Sequence, residues 1–259
     1  MVPELAEWVA GLLATGTVHG FAADAPDRAP LGGRGEAWRI RAPAPSRAQA
    51  WVVRHYVRGG AVAGPVLGDR YLRLGVPRPL AELRASERAR ARGVRTPRVL
   101  VAAWYARGPF ARGDLVSEWI DGAFDLAALL FGGTEGSPTA MPEIPPPDRD
   151  QALAAAGGLV RSLTMAGVEH VDLNATNIAL RPTSAGLEAW ALDLDRALIH
   201  PEPVVSAGVR MRDRLERSLA KLGAAPSARP LTPAELARFR DAAGDPREAV
   251  SAATARNSG

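Results

Sequence analysis

The chain has 259 residues, of which 47% are apolar, and it contains no cysteine. This composition suits one or two packed domains with a substantial core, and it excludes disulfides and thiolate metal sites. The net charge is +4 and Lys221 is the only lysine. Because no apolar run reaches the roughly 18 residues of a membrane span and the first residues lack a secretory signal pattern, we expect a cytoplasmic protein.

Apolar periodicity and glycine or proline breaks predict an order of elements in the first half. The predicted elements are a short amphipathic helix at residues 3–15, a glycine turn leading into a strand within Leu31–Ile40, a strand at Trp51–Val57, a helix at 79–93, and strands at Val99–Tyr105 and Leu115–Ile120.

The second half is mainly helical in its pattern. The predicted elements are a helix starting within Asp125–Phe131, a mobile loop at 132–147, a helix at Gln151–Ala166, a hairpin of Ile178–Leu180 with Leu187–Leu192, helices at 207–222 and 233–243, and a disordered tail at 250–259. This succession predicts a two-lobed α+β fold, with a first lobe at 1–117 and a second at 118–259.

Charge differs between the two halves. Residues 28–98 hold 16 arginines against 4 acids, whereas residues 99–203 hold 6 arginines against 14 acids. A basic region beside an acidic one fits a nucleotide lobe joined to a metal and acceptor lobe, and it also fits attraction to anionic lipid or sugar acids. The alternative is a solvated arginine-rich surface.

The most informative motif is the segment His170–Asn177, followed by Asp193. Asp172 and Asn177 lie five residues apart, and kinase-like phosphotransferases use such a pair with a later aspartate. Asp172 is the candidate catalytic residue, which would orient a hydroxyl toward the γ-phosphate of ATP. Asn177 and Asp193 are candidate ligands of Mg²⁺, which prefers oxygen ligands, and the hairpin would place them at neighbouring ends.

Other readings of these residues stay open. A lone His-x-Asp arises easily by chance in a chain of this length. His170 fits a buried structural histidine that bonds the loop and the Asp193 region better than it fits a catalytic base. Asp195 either lines the phosphate site or caps the turn after Asp193, and the sequence does not decide between these roles.

Five further residues are predicted to bind the cofactor, all in the first half of the chain. Gly33 and Gly35 would let a backbone turn approach phosphates closely, although glycines near a turn are often only a turn. Arg54 would grip phosphates with Glu82 as its ion-pair partner and Glu87 as second choice, or these charges are simply exposed. Glu118 lies in the predicted connection between lobes, where the backbone would bind adenine.

These motifs resemble those of the 3-deoxy-D-manno-octulosonic acid (Kdo) kinases, a lipopolysaccharide-core kinase family with a protein-kinase-like fold. The segments that carry the resemblance are Gly33–Gly35, Trp51–Gly60, Asp69–Tyr71, Gly93–Pro97, His170–Asn177, Leu192–Arg196 and Arg214–Lys221. They span most of the chain, and the run Arg-His-Tyr-x-Arg-Gly-Gly within Trp51–Gly60 is more specific than the catalytic loop.

The resemblance implies ATP- and Mg²⁺-dependent phosphorylation of the 4-hydroxyl of a Kdo residue on a lipid A precursor. It implies Asp172 as catalytic residue, with Asn177 and Asp193 as magnesium ligands. We expect a monomer without nucleic-acid binding, with peripheral contact to anionic lipid on the cytoplasmic face of the inner membrane. The chain departs from the family at 61–68, which lacks basic residues, and at Leu194, where the family usually has phenylalanine.

Three alternatives remain at the level of sequence. The same catalytic loop serves small-molecule kinases of the aminoglycoside or choline type. Asn174 stands where protein kinases place a catalytic-loop lysine, which argues against protein-kinase activity and is the best support for a non-catalytic nucleotide-binding scaffold. An arginine-rich first half also suits a binder of anionic membranes or nucleic acid without ATP turnover.

Overall fold

The computed structural model describes residues 3–31, 37–44, 46–57, 68–73, 75–132, 148–226 and 228–257. The chain divides into two compact units. The first unit contains the residues up to Arg84 together with Pro97–Trp119. The second contains Ala85–Thr96 and most of the chain from Ile120 onward.

An antiparallel sheet dominates the first unit. Its strands are β1 (Ala29–Leu31), β2 (Ala37–Arg41), β3 (Ala50–His55), β4 (Tyr71–Leu72), β5 (Val99–Arg107) and β6 (Phe110–Glu118). They follow the order β1-β2-β3-β6-β4, and β5 also pairs with β6. Trp51 and Val53 alternate along β3 into the core, where they meet Ile40 and Val116.

Two short helices at the start of the chain pack on this sheet. Helix α1 (Ala6–Leu13) follows a 3₁₀ turn and confirms the helix predicted there, and α2 (Val18–Ala23) was not predicted. The ring of Trp8 makes edge-on contacts with Phe21 and Trp51, at centroid distances of 5.1 and 5.3 Å. These apolar contacts attach the amino-terminal helices to the sheet.

Helix α3 (Arg78–Ala91) confirms the helix predicted at residues 79–93. The chain leaves it through Gly93, whose φ of +80° is a left-handed conformation that glycine adopts without strain. The amide of Gly93 donates to the carbonyl of Arg90 at 2.9 Å, which satisfies a carbonyl of the last turn.

Helices and small antiparallel sheets build the second unit. Its elements are β7 (Phe124–Asp125), α4 (Leu126–Phe131), α5 (Arg149–Met165), β8 (Val168–Glu169), β9 (Ile178–Thr183), β10 (Gly186–Ala191), β11 (Leu198–Ile199), α6 (Val205–Gly223), α7 (Pro233–Ala243) and α8 (Pro246–Asn257). Strands β10, β9 and β7 form one sheet, and β8 pairs with β11. Leu163, Leu173, Ile178, Leu215 and Phe239 are among the side chains that fill the core between these elements.

The prediction of a disordered tail is wrong for most of its length. Residues up to Asn257 belong to α8, which begins at Pro246. Proline suits the first helical position, and the carboxylate of Asp245 accepts from the amide of Arg247 at 2.8 Å. Ala249 and Ala253 are buried, so the small residues that suggested a tail instead permit close helix packing.

Two predicted features fall on residues that are not described. The glycine turn with Gly33 and Gly35 lies outside the described residues, and so does the predicted loop at 132–147 beyond Gly132. Among the helices of the described ranges, none is long and apolar enough to cross a bilayer.

Candidate active site

The β9–β10 hairpin brings together the two predicted metal ligands of the second unit. Ile178 pairs with Ala191 at the open end of the hairpin, so Asn177 precedes the first strand where Asp193 follows the second. The amide of Leu192 donates to the carbonyl of Asn177 at 2.9 Å. The predicted proximity of Asn177 and Asp193 is therefore confirmed.

The loop before the hairpin is held by its own asparagines. The side-chain nitrogens of Asn174 and Asn177 donate to the carbonyl of Asp172 at 2.9 and 3.1 Å. The side-chain oxygen of Asn174 accepts from the amide of Thr176 at 2.9 Å, which caps a 3₁₀ turn at Ala175–Asn177. Because the Asn177 nitrogen is used in this way, the oxygen of the same amide is the atom that suits a cation.

His170 is a buried structural residue, as predicted. Its Nε2 lies 2.8 Å from the carbonyl oxygen of Leu192, and its backbone amide points to the sulfur of Met211. Burial lowers the pKa of His170 below its ordinary value, although the hydrogen bond with the Leu192 carbonyl and the nearby carboxylates of Asp193, Asp172 and Asp195 oppose this. A neutral imidazole that donates to Leu192 therefore fixes the residue just before Asp193.

Asp193 has an unusual backbone conformation. Its φ of +58° is the only positive value for a non-glycine residue in the described ranges. Aspartate and asparagine adopt this left-handed region more readily than other residues, and strained positions cluster at functional sites. The conformation turns the chain shortly after β10, directly at the predicted metal ligand, and sequence reasoning did not detect it.

Two arginines bind the carboxylate of Asp172. An Nη1 atom of Arg196 lies 2.9 Å from Oδ2, and an Nη2 atom of Arg214 lies 2.7 Å from Oδ1. Asp172 stays 33% exposed at its side chain. Sequence reasoning missed the contact with Arg214, because this residue lies on α6, 42 residues further along the chain.

The predicted partner of Arg54 is confirmed in the first unit. Arg54 on β3 forms an ion pair with Glu82 on α3, and the hydroxyl of Tyr56 donates to the second oxygen of the same carboxylate. Glu82 is buried, whereas the second candidate, Glu87, is exposed. A buried carboxylate that binds a cation and a hydroxyl fixes the position of both groups.

His55 points to the other face of β3, between Arg54 and Tyr56. Its Nδ1 lies 2.6 Å from the buried carboxylate of Asp114, and its Nε2 lies 3.2 Å from Asp69. The hydrogen bond with Asp114 raises the pKa of His55 despite the opposing effect of burial. The Arg-His-Tyr run thus serves two polar networks because side chains alternate along a strand.

Glu118 is the last residue of β6, and its backbone amide already forms a hydrogen bond. Its amide donates to the carbonyl of Arg98 at 3.0 Å, and the amide of Trp119 donates to Ala50 at the same distance. These bonds extend the sheet to the end of the first unit. An adenine contact at Glu118 would accordingly use its carbonyl oxygen.

Within the described ranges, no group of three or more histidine and carboxylate side chains is arranged so that it could hold a metal ion. The predicted ligand set is different, because it pairs one amide with one carboxylate. Magnesium sites of this kind take their remaining ligands from substrate phosphates and water. Asn177 and Asp193 fit that donor set.

Comparison with known proteins identifies the family. The family model for the lipopolysaccharide kinase (Kdo/WaaP) family matches residues 31–242. The chain belongs to the lipopolysaccharide kinase (Kdo/WaaP) family. This membership confirms the predicted class of enzyme, a kinase that transfers phosphate to a sugar hydroxyl in lipopolysaccharide biosynthesis.

Curated relatives of this lipopolysaccharide kinase carry a more specific name. The 3-deoxy-D-manno-octulosonic acid kinase of Stenotrophomonas maltophilia (strain R551-3) is 34% identical over 193 residues, which cover 74% of this chain and 68% of the relative. The 3-deoxy-D-manno-octulosonic acid kinase of Xanthomonas euvesicatoria pv. vesicatoria (strain 85-10) has the same identity and coverage.

A solved structure of WaaP in complex with acyl carrier protein resembles this lipopolysaccharide kinase in fold. The TM-score is 0.53 at 19% identity, and the match covers 98% of this chain and 93% of the other. The predicted α+β, protein-kinase-like two-lobed class is thereby confirmed, with a β-rich first lobe and a mainly helical second lobe. The first lobe also contains α2, besides the helices that were predicted at residues 3–15 and 79–93.

The roles of individual residues in this lipopolysaccharide kinase stay predictions. They concern Asp172, Asn177 and Asp193 in the second unit, and Gly33, Gly35, Arg54, Glu82 and Glu118 in the first. Of these, the structure brings Asp172, Asn177 and Asp193 together around one hairpin end, and it pairs Arg54 with Glu82.

Proposed function

We propose that the chain transfers the γ-phosphoryl group of ATP to the 4-hydroxyl of a Kdo residue on a lipid A precursor. The observation that supports this most is the grouping of Asp172, Asn177 and Asp193 at one end of the β9–β10 hairpin. Family membership supports the reaction, and the names of the curated relatives support a Kdo acceptor.

Asp172 is the residue that would orient the acceptor. A carboxylate has room for about four hydrogen bonds, and the two arginines use one on each oxygen. A sugar hydroxyl can therefore donate to Asp172 while both arginines stay bound. This contact would aim the hydroxyl oxygen at the phosphorus atom and receive its proton, so that positioning supplies much of the acceleration.

Asn177 and Asp193 would hold Mg²⁺ through the amide oxygen and the carboxylate. The ion would neutralise charge on the phosphates of ATP. The chain contributes the rigidity of this pair: the Asn177 amide nitrogen is bound to the Asp172 carbonyl, and His170 holds Leu192. Fixed ligands do not have to reorganise during the reaction, which favours catalysis.

The first unit would bind the nucleotide. Arg54 would contact phosphate oxygens, while Glu82 keeps its guanidinium in place. The backbone at Gly33 and Gly35 would approach the phosphates, and the Glu118 carbonyl would accept from adenine. Each of these roles rests on the resemblance to kinases and on the position of the residue in the sequence.

We assign nucleotide binding to residues 1–117 and catalysis with acceptor binding to residues 118–259. Because the proposed acceptor is a glycolipid, we propose that the protein works in the cytoplasm and makes peripheral contact with the inner membrane. We also propose that it is a monomer. The high arginine content of residues 28–98 supports attraction to anionic lipid.

A phosphoryl-transfer screen tests the proposal. The purified chain is incubated with ATP and Mg²⁺ and with a Kdo-bearing lipid A precursor, free Kdo or an aminoglycoside. We expect transfer to the Kdo-bearing lipid, its loss in EDTA, and its return with added Mg²⁺. Phosphorus and proton NMR of the product locates the new phosphate at the 4-position or elsewhere.

Two matched variants test the catalytic residue. Asp172→Asn removes the charge but keeps the shape, and we expect turnover to fall about 10³- to 10⁴-fold with the circular dichroism spectrum unchanged. Asp241→Asn makes the same change at an exposed position of α7 and should retain full activity. Wild-type turnover by Asp172→Asn would remove Asp172 from the mechanism, and transfer only to the aminoglycoside would overturn the Kdo acceptor.

A further inference from the structure

Two cationic side chains surround the proposed catalytic aspartate and remain open to solvent. Arg196 is 62% exposed and Arg214 is 45% exposed at the side chain. They come from separate elements, since Arg196 follows the Asp193 turn and Arg214 lies on α6. Each uses one terminal nitrogen for Asp172.

Both arginines are paired with the same acidic group. Two guanidinium groups contact the single carboxylate of Asp172, each through one terminal nitrogen. A guanidinium carries five N–H donors in a planar fork that matches a carboxylate. Arg196 and Arg214 therefore retain donors for an anionic ligand that lies beside Asp172.

The acceptor class proposed above carries such an anion. Kdo is a sugar acid, and its carboxylate is attached to the same ring as its hydroxyl groups. A hydroxyl that bonds to Asp172 therefore brings a carboxylate close to the guanidinium groups around Asp172. Aminoglycosides and choline are cationic and would be repelled at this place, so the arginines discriminate between acceptor classes by charge.

We propose that Arg196 and Arg214 form the subsite that binds the carboxylate of the sugar-acid acceptor. This inference rests on the proposed function, because it uses Asp172 as the place where the hydroxyl binds. The two residues would determine specificity by contact with the substrate, and they would keep their bonds to Asp172 through separate N–H groups.

The test compares acid and neutral acceptors with matched variants. The acceptors are the Kdo-bearing lipid and its methyl ester, in which the carboxylate has no charge. The variants are Arg196→Gln and Arg214→Gln, with Arg217→Gln as control at an exposed position of the same helix as Arg214. Arg196→Lys and Arg214→Lys retain the charge without the fork.

The expected result is a loss that depends on the acceptor carboxylate. The glutamine variants should lower kcat/KM on the acid about tenfold more than on the ester, because a charged hydrogen bond to the acceptor is lost only with the acid. The wild type should prefer the acid by a similar factor, and KM for ATP should not change. The lysine variants should recover part of the loss, and Arg217→Gln should behave as wild type.

Two contrary results have different meanings. If both glutamine variants lose activity equally on the acid and the ester, the arginines only position Asp172 and the inference is overturned. If the wild type phosphorylates neither Kdo acceptor, the proposed function fails and the subsite fails with it.

Discussion

Adjacent glycines in helix α5 should respond to alanine in opposite ways. A Cβ on Gly157 would overlap the carbonyl oxygen of Phe239 and would lie 2.8 Å from the amide nitrogen of Ala243 on α7. A Cβ on Gly158 would meet no atom within 4 Å. The first substitution therefore pushes α5 from α7, and the second only adds a methyl group to open space.

The two effects have different magnitudes. Alanine is favoured over glycine in a helix by about 0.5–1 kcal/mol, so Gly158→Ala should stabilise the protein by about that amount. Overpacking costs about 1–3 kcal/mol, and the overlapped atoms at Gly157 belong to the backbone, which no rotamer change can move. We expect Gly157→Ala to destabilise the protein by about 1–2 kcal/mol after the helix gain is subtracted.

Urea unfolding followed by circular dichroism measures both variants against wild type. A difference of about 2 kcal/mol between them separates the midpoints by nearly 1 M at a slope of about 2–3 kcal/mol/M. Gly158→Ala serves as control, because it changes the same helix at the next residue. Equal midpoints for the two variants would contradict the close contact of α5 with α7.

Two further predictions concern the pH response and the tail. The hydrogen bond with Asp114 raises the pKa of His55 above its ordinary value of 6.5. The protonated His55 side chain therefore contributes fully to the free energy of unfolding below pH 6.5, and this contribution is lost as the pH rises through the raised pKa. Urea midpoints from about pH 6 to about pH 9 should fall less steeply for His55→Gln than for wild type, and equal slopes would contradict this linkage. Ala249→Glu buries a charge in α8 and should lower the free energy of unfolding by more than about 2 kcal/mol. Ser251→Glu, on the exposed side of the same helix, should change it little. Similar urea midpoints for the two variants would contradict the packing of α8.

The hairpin of the site was predictable because its signals are local. Two apolar runs flank a turn just before Gly186, with Asn177 directly before the first run and Asp193 directly after the second. Antiparallel pairing then forces Asn177 and Asp193 together, whatever the remainder of the fold. The same reasoning placed Arg54 on a strand and Glu82 on the next helix.

The features that were missed depend on contacts distant in sequence or on weak local signals. Helix α2 has six residues, too few for a periodic pattern, and its main local signal is the cap from Thr17. Helix α8 is rich in small residues whose burial cannot be read from composition. The contact of Arg214 with Asp172 depends on how α6 packs, and no pattern within the motif indicates it.

The left-handed backbone of Asp193 decides which substitution can isolate the effect of its charge. Asparagine tolerates this conformation about as well as aspartate. Asp193→Asn therefore changes the metal ligand and leaves the backbone conformation unchanged. Alanine would add conformational strain at the end of β10 and disturb Leu192 as well. Kinetic defects of an alanine variant would thus mix two causes that the asparagine variant keeps apart.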